Sequence, residues 1–342
     1  MNRSLIVSIA LGALTLSAPA YAQDKDMVPD ASDAVRSKQE KDGLDSTLTV
    51  GATINFVDNR NVVGQNEGST WNLGGTVKGG TEYKKGANEV RGALSITENF
   101  SRTPIIPEFI NSADEAILEA SYYYNIIPWA GVFARAEGKS NLFNNYFVSA
   151  TPVSFAITEL DGSVTQQGPQ DRLLLKDGPF GLSILKQSVG GFVRPIREDY
   201  LDLELRLGAG AQEIFAADQV AVSDDAATAN LIEAKRLQNS QQIGAEFGMA
   251  LKGTLSKDRV VYKSTLEVLT PFYNSINPQD KSAFELTNFE SLTQISFKLV
   301  EWASLDYQIK VVRQPLIIDE VQVQNSLLLT FGYTLIEAAK KK

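Results

Sequence analysis

From Leu44 almost to the C-terminus, apolar and polar side chains alternate with period two. In one segment Leu201, Leu203, Leu205, Leu207, Ala209 and Ala211 alternate with Asp202, Glu204, Arg206, Gly208, Gly210 and Gln212. In LDSTLTVGATINF, the residues Leu44, Leu48, Val50, Ala52, Ile54 and Phe56 share one face, opposite Asp45, Thr47, Thr49, Thr53 and Asn55. Successive side chains of a strand point to opposite faces, so this pattern demands strands with one apolar face and one polar face.

The alternation predicts strands over Leu44–Asp58, Ser69–Tyr83, Glu89–Ser101, Asp114–Ile127, Ala130–Leu142 and Leu182–Pro195. It continues over Asp199–Gln212, Gln242–Leu255, Arg259–Thr270, Glu285–Val300, Ser304–Arg313 and Val321–Ile336. The links alternate in length. Tight ones fall at Lys84–Asn88, Pro128-Trp129, Ile196–Glu198, Ser256–Asp258 and Glu301–Ala303, and long ones lie between them, the longest being Phe143–Gly181. Strands of a soluble sandwich are commonly about 5–6 residues, and nothing makes sandwich links alternate long and short. Strands of about 12–15 residues with short turns on one side and long loops on the other describe a transmembrane barrel. The expected fold is all-β: an antiparallel up-and-down barrel of about twelve strands, with short periplasmic turns and long extracellular loops.

The ends of the chain agree. Arg3, an apolar run from Leu5 to Leu16 and the motif Ala20-Tyr21-Ala22 have the layout of a cleaved secretory signal peptide. The expected organisation is a signal peptide over 1–22, a flexible, highly charged periplasmic segment over 23–43, the barrel over 44–336 and a basic tail over 337–342.

Composition excludes several chemistries. The chain has no cysteine and no histidine, so it lacks the commonest nucleophile–base pairs and zinc ligands. With 32 Lys+Arg against 41 Asp+Glu it lacks the basic excess that nucleic acid requires. No phosphate-binding glycine loop or calcium-loop spacing is present, so no enzyme activity, metal or cofactor is expected.

In a membrane barrel the polar face lines the lumen. The candidates are Lys78, Glu82, Arg91, Glu115, Glu119, Arg135, Glu137, Asp202, Glu204, Arg206, Glu246, Lys252, Lys263, Glu267, Glu290, Lys298, Asp306 and Lys310, with both signs interleaved. They form either the lining of a small pore or a salt-bridged plug. Trp71, Trp129 and Trp302 lie at strand ends, where interfacial girdles place aromatics. Within the longest link, Ser154–Thr165 with Asp161-Gly162 at its tip reads as a small hairpin.

The stretches VVYKSTLEVLTPFYNSI, FELTNFESLTQISFKLVEWASLDYQIKVVRQP and QVQNSLLLTFGYTL resemble the C-terminal part of an uncharacterised family of bacterial predicted outer-membrane proteins. The resemblance spans the last quarter to third of the chain and implies a barrel, with no activity or functional residues attached. Thr330-Phe331-Gly332-Tyr333-Thr334-Leu335 also looks like part of the signal read by the barrel assembly machinery, although it lacks a terminal aromatic. The expected setting is the bacterial outer membrane, with lipid and that machinery as partners. Two functions stay open: a passive pore for small solutes, and a closed barrel that binds an unknown protein partner, as an adhesin or scaffold, through its long loops.

Overall fold

The computed structural model describes residues 42–59, 68–106, 108–216, 218–222, 231–256, 259–276, 281–300 and 302–336. The expected signal peptide, nearly all of the charged N-terminal segment and the basic tail lie outside them. The strands in chain order are β1 (Gly43–Asn59), β2 (Gly68–Lys85), β3 (Asn88–Arg102), β4 (Ile110–Ile127), β5 (Ala130–Ser140), β6 (Asn145–Thr158), β7 (Val164–Lys176) and β8 (Ser183–Glu198). They continue with β9 (Leu201–Phe215), β10 (Val220–Val222), β11 (Leu231–Arg236), β12 (Ser240–Leu255), β13 (Val260–Asn274), β14 (Asn288–Val300), β15 (Ala303–Gln314) and β16 (Ile318–Ile336). Twelve of these close into one barrel in the order β1-β16-β15-β14-β13-β12-β9-β8-β5-β4-β3-β2. Closure is made where β16 returns antiparallel to β1, from Leu48↔Ile336 to Thr53↔Thr330.

The twelve expected strands are the twelve of the wall, and the differences lie at their ends. The strand expected over Leu182–Pro195 runs on to Glu198 as β8. A bulge between Val193 and Ile196 accommodates Pro195, which has no N–H to give the ladder. The tight link expected at Ile196–Glu198 is therefore the turn Asp199-Tyr200. The strand expected from Glu285 begins at Asn288, because the Glu285 carboxylate accepts hydrogen bonds from the Ser282 backbone N–H (2.8 Å) and hydroxyl (2.6 Å) and holds a turn there. The strand expected to reach Leu142 stops at Ser140, where the Asn141 side chain takes over the backbone bonding.

The larger difference is above the wall. The hairpin expected at Ser154–Thr165 is the tip of the longer hairpin β6–β7. Two further strands, β10 and β11, arise in the link between β9 and β12, and all four form a separate sheet in the order β10-β11-β6-β7. The pairing of β11 with β6 is parallel. Val153, Phe155, Ile157, Leu173, Val220 and Ala234 form its own apolar core. A second apolar cluster joins Ile184 and Ile214, inside the wall, to Ala216, Ala221, Leu237 and Ile317 in the links.

Polarity is inverted along the barrel strands. On β9 the buried side chains include Glu204, Arg206 and Gln212, while Leu207 is 66% exposed. Leu118, Val189, Leu327 and Leu329 are exposed in the same way on other strands, and Arg91, Arg135 and Glu137 are buried. A wall that buries charge and exposes leucine is built for hydrocarbon outside and polar groups inside. Leu207→Arg should therefore destabilise the barrel by roughly 2–4 kcal/mol, as for a charge near the bilayer midplane. Thr265→Arg, on the inner face between Lys263 and Glu267, should cost clearly less. Urea titration in lipid vesicles gives the order, and the reverse order would mean that the faces are assigned the wrong way round.

Candidate functional site

The pleat sends alternate residues of every barrel strand inward, so the interior is assembled from i, i+2 sets. Near the short turns, Arg194 on β8 is the centre. Its Nη1 and Nη2 donate to the two oxygens of Glu89 on β3 (3.0 and 3.3 Å), and its Nε donates to Glu204 on β9 (3.0 Å). Arg91 contacts Glu89 and lies 3.6 Å from Glu204. The Tyr123 hydroxyl donates to Glu204 (3.2 Å). Tyr123, Phe133 and Phe192 pack as a buried aromatic trio, and both guanidinium groups lie over the Tyr123 ring at 4.6 and 4.8 Å. Gly190 and Gly208 face each other across β8 and β9 beneath these rings. A Cβ on Gly190 would come 2.6 Å from the Gly208 Cα, so no side chain fits there.

Toward the long loops the aromatics give way to ions. Arg135 on β5 pairs with Glu119 (3.1 Å), Glu137 and Glu267 (2.7 Å). Lys186 on β8 pairs with Glu137 (3.4 Å), Glu267 (3.1 Å) and Glu290 (2.9 Å). Lys139 bridges Glu115 (2.6 Å) and Glu290 (3.3 Å), and Lys310 on β15 reaches Glu115 on β4 (3.0 Å). Arg206 joins the two layers through Glu267 (3.5 Å) and Glu204 (3.9 Å).

Four of these pairs, Arg135–Glu267, Lys186–Glu290, Lys139–Glu290 and Lys310–Glu115, cross the interior. Strands β5 and β13 stand four steps apart round the wall, as do β8 and β14, while β5–β14 and β4–β15 are five steps apart. The network is also balanced. Its bases are Arg91, Arg135, Lys139, Lys186, Arg194, Arg206 and Lys310, and its acids are Glu89, Glu115, Glu119, Glu137, Glu204, Glu267 and Glu290. No ring of one sign exists within it.

Most of the sequence candidates lie in or beside this network. Arg91, Glu115, Glu119, Arg135, Glu137, Glu204, Arg206, Glu267, Glu290 and Lys310 belong to it. Glu82, Glu246, Lys263 and Asp306 are also buried, while Lys78, Asp202, Lys252 and Lys298 are half-buried. Lys78, Glu82, Lys252, Lys263 and Lys298 have contacts of their own. Sequence reasoning missed Glu89, Lys139, Lys186, Arg194 and Tyr123. The signal for three of them was present: Glu89 is two residues from Arg91, Lys139 from Glu137, and Tyr123 shares parity with Glu119. Lys186 and Arg194 lie on the strand whose alternation Gly190-Gly191 blurs. Trp129 and Trp302 are exposed at short turns, with Trp302 stacked on Phe331 at 5.8 Å, and Trp71 is half-buried at the long-loop end.

Side-chain caps anchor the outer sheet. Asp114 accepts from the Leu142 and Phe143 N–H groups (2.6 and 2.8 Å). Asn141 donates to the carbonyls of Phe143 and Gly178 and accepts from the Leu182 N–H, which ties together both ends of the β6–β7 excursion. At the far tip Arg236 of β11 donates to both oxygens of Glu159 (3.0 and 3.3 Å).

Strand order, inverted polarity and charged interior define a membrane-spanning antiparallel β-barrel. No family model matches the chain, and no curated protein matches it. Among solved structures, the translocator domain of the autotransporter NalP from Neisseria meningitidis is similar at 10% identity, TM-score 0.37, covering 89% of this chain and 91% of that one. The P. putida toluene transporter TodX is similar at 9% identity, TM-score 0.33, with 91% and 93% covered. The Ralstonia pickettii toluene transporter TbuX is similar at 10% identity, TM-score 0.30, with 87% and 90% covered.

Two outcomes follow from these contacts. Arg194→Met leaves Glu89 buried without its bidentate partner and should destabilise the barrel by roughly 3–5 kcal/mol. Glu89→Gln in the same chain should restore part of that loss, as read from urea midpoints. In the outer sheet, the hydrogen bond from Arg236 holds the Glu159 carboxyl below its ordinary value of 4.5, and the Ser163 hydroxyl and N–H hold Asp161 below 3.8. A depressed carboxyl contributes stability that is present above its ordinary value and lost as pH falls through the depressed one. Amide exchange at the tips of β6 and β11 should therefore accelerate on acidification below that range while the barrel strands stay protected. Arg236→Met should remove the Glu159 part of this pH dependence, and an unchanged pH profile would show that the pair does not hold the tip.

Proposed function

We propose that the chain is an outer-membrane β-barrel that passes small solutes, with the ion-pair network acting as the gate across its lumen. The observation that carries this is a network of seven acids and seven bases in which four pairs, Arg135–Glu267, Lys139–Glu290, Lys186–Glu290 and Lys310–Glu115, span the interior. An interior needed only for stability is satisfied by packed apolar residues, which are often as stable as buried ion pairs or more so. Ion pairs in contact with water can be exchanged for hydration, which makes them suited to opening. A lining of equal charge also implies weak selectivity between cations and anions, since selectivity by charge requires a ring of one sign.

A second reading is favoured by the apolar cluster of Ile184, Ile214, Ala216, Ala221, Leu237 and Ile317 at the long-loop mouth. In that reading the barrel stays shut and presents the sheet β10-β11-β6-β7 to a partner. Single-channel recording in a planar bilayer separates the two. The wild type should give small, infrequent steps. Replacing Lys139, Lys186 and Glu290 together by alanine removes two of the four crossing pairs and should raise conductance severalfold, with little change in cation-to-anion permeability. A triple variant that migrates as a folded barrel on unheated gels but is silent would leave the second reading.

A further inference from the structure

Of the buried carboxylates outside the balanced network, Glu246 borders a pocket. Glu246 on β12 points inward and is 8% exposed, yet among the described residues it makes no ion pair. Arg135 and Arg206 act on it at a distance and Ser188 gives it a hydroxyl. The ion pairs of those arginines, however, go to Glu119, Glu137, Glu204 and Glu267.

Glu246 borders a small pocket in the barrel interior that Lys186, Glu267 and Glu290 of the network also line. Gln212 and Asn288, 2% and 6% exposed, line the same pocket, with Leu269 as an apolar wall. Three buried polar atoms here have no hydrogen-bond partner: Glu246 Oε1, Asn288 Oδ1 and Gln212 Nε2. Two are acceptors and one is a donor. The Asn288 amide is oriented by its donation to Gln242 Oε1 (2.6 Å), which turns its oxygen away from that neighbour. The Gln242 amide donates in turn to Asn274 (2.7 Å), which fixes that side chain.

We propose that this pocket binds a small solute carrying a primary ammonium group next to a hydrogen-bond acceptor. The ammonium donates to Glu246 Oε1 and Asn288 Oδ1, and the neighbouring oxygen accepts from Gln212 Nε2. A buried carboxylate without an ion pair of its own is costly, and a cationic solute offsets that cost in a way that a neutral solute does not. The proposal rests on the reading of the lumen as a solute path, because a permanent plug would leave the pocket out of reach.

Calorimetric titration of the full chain in detergent micelles tests it, with ethanolammonium chloride as probe and ethylene glycol and methylammonium as comparisons. Ethanolammonium should bind and ethylene glycol should not. E246Q should weaken ethanolammonium by about tenfold or more, the loss expected for a hydrogen bond to a charged group. If E246Q does not assemble, Gln212→Leu is read instead. It should weaken ethanolammonium and leave methylammonium, which has no oxygen, unchanged. Equal affinity for ethylene glycol, or an unaltered Kd in E246Q, would overturn the proposal. Planar-bilayer recording keeps the two ideas apart. A conducting barrel that does not bind ethanolammonium overturns the site and leaves the pore. A silent barrel that binds it with the E246Q loss overturns the pore and leaves the site.

Discussion

Every backbone N–H and C=O in this wall has to find its partner within the wall, because hydrocarbon offers none. That requirement explains why the sheet closes, and it makes the return of β16 to β1 the step on which the other eleven strands depend. Among the described residues the pairing there runs from Leu48 to Thr53 on β1, whereas β1 meets β2 from Gly43 to Asn59. At this seam a Cβ on Gly51 would lie 3.3 Å from the Phe331 carbonyl oxygen. Trp302 stacks on Phe331 beside it, so aromatic packing reinforces the junction.

Once closure fixes which face meets lipid, the pleat decides the rest. Each strand must send its other face into a space too narrow to hydrate long charged side chains fully. They therefore satisfy one another. Lys186 faces three carboxylates and Glu267 faces three bases, so removing one partner leaves the others close to neutral. Near the short turns the same need is met differently. Arg91 and Arg194 lie over the Tyr123 ring, and the bidentate Arg194–Glu89 contact is the kind of geometry that compensates burial.

How much of this could be read from the chain follows from what is local. The wall strands were legible because alternation is a property of one segment, and L-D-L-E-L-R-L carries it without help from any neighbour. Their ends were not, because a bulge at Pro195 and the Ser282–Glu285 turn are single-residue events that period two does not register. Inward charges were legible by parity, so Glu204, Arg206 and Glu267 could be named. Which of them pair could not be read, since the distance from Lys186 to Glu290 depends on the curvature of the four steps between their strands. The parallel pairing of β11 with β6 was the least legible feature. It joins two long links, and neither has a reason to pair until the barrel brings their bases together.

The lumen is thus a stack of three chemistries, and each resists opening for a different reason. The aromatic trio is held by packing, which salt and charge leave largely untouched. The ionic layer is held by interactions that weaken with salt wherever water reaches them. The apolar cluster at the long-loop mouth depends on a contact between different parts of the chain. Ile184 and Ile214 belong to the wall, while Ala221, Leu237 and Ile317 belong to the links above it. A solute path has to part all three layers, so the outer sheet cannot be a passive ornament. Its β10 strand carries Ala221 of the apolar seal, and Asn141 ties both ends of the β6–β7 excursion to the rim just above Lys139. The outer sheet is therefore fastened both to the apolar layer and to the rim beside the ionic one.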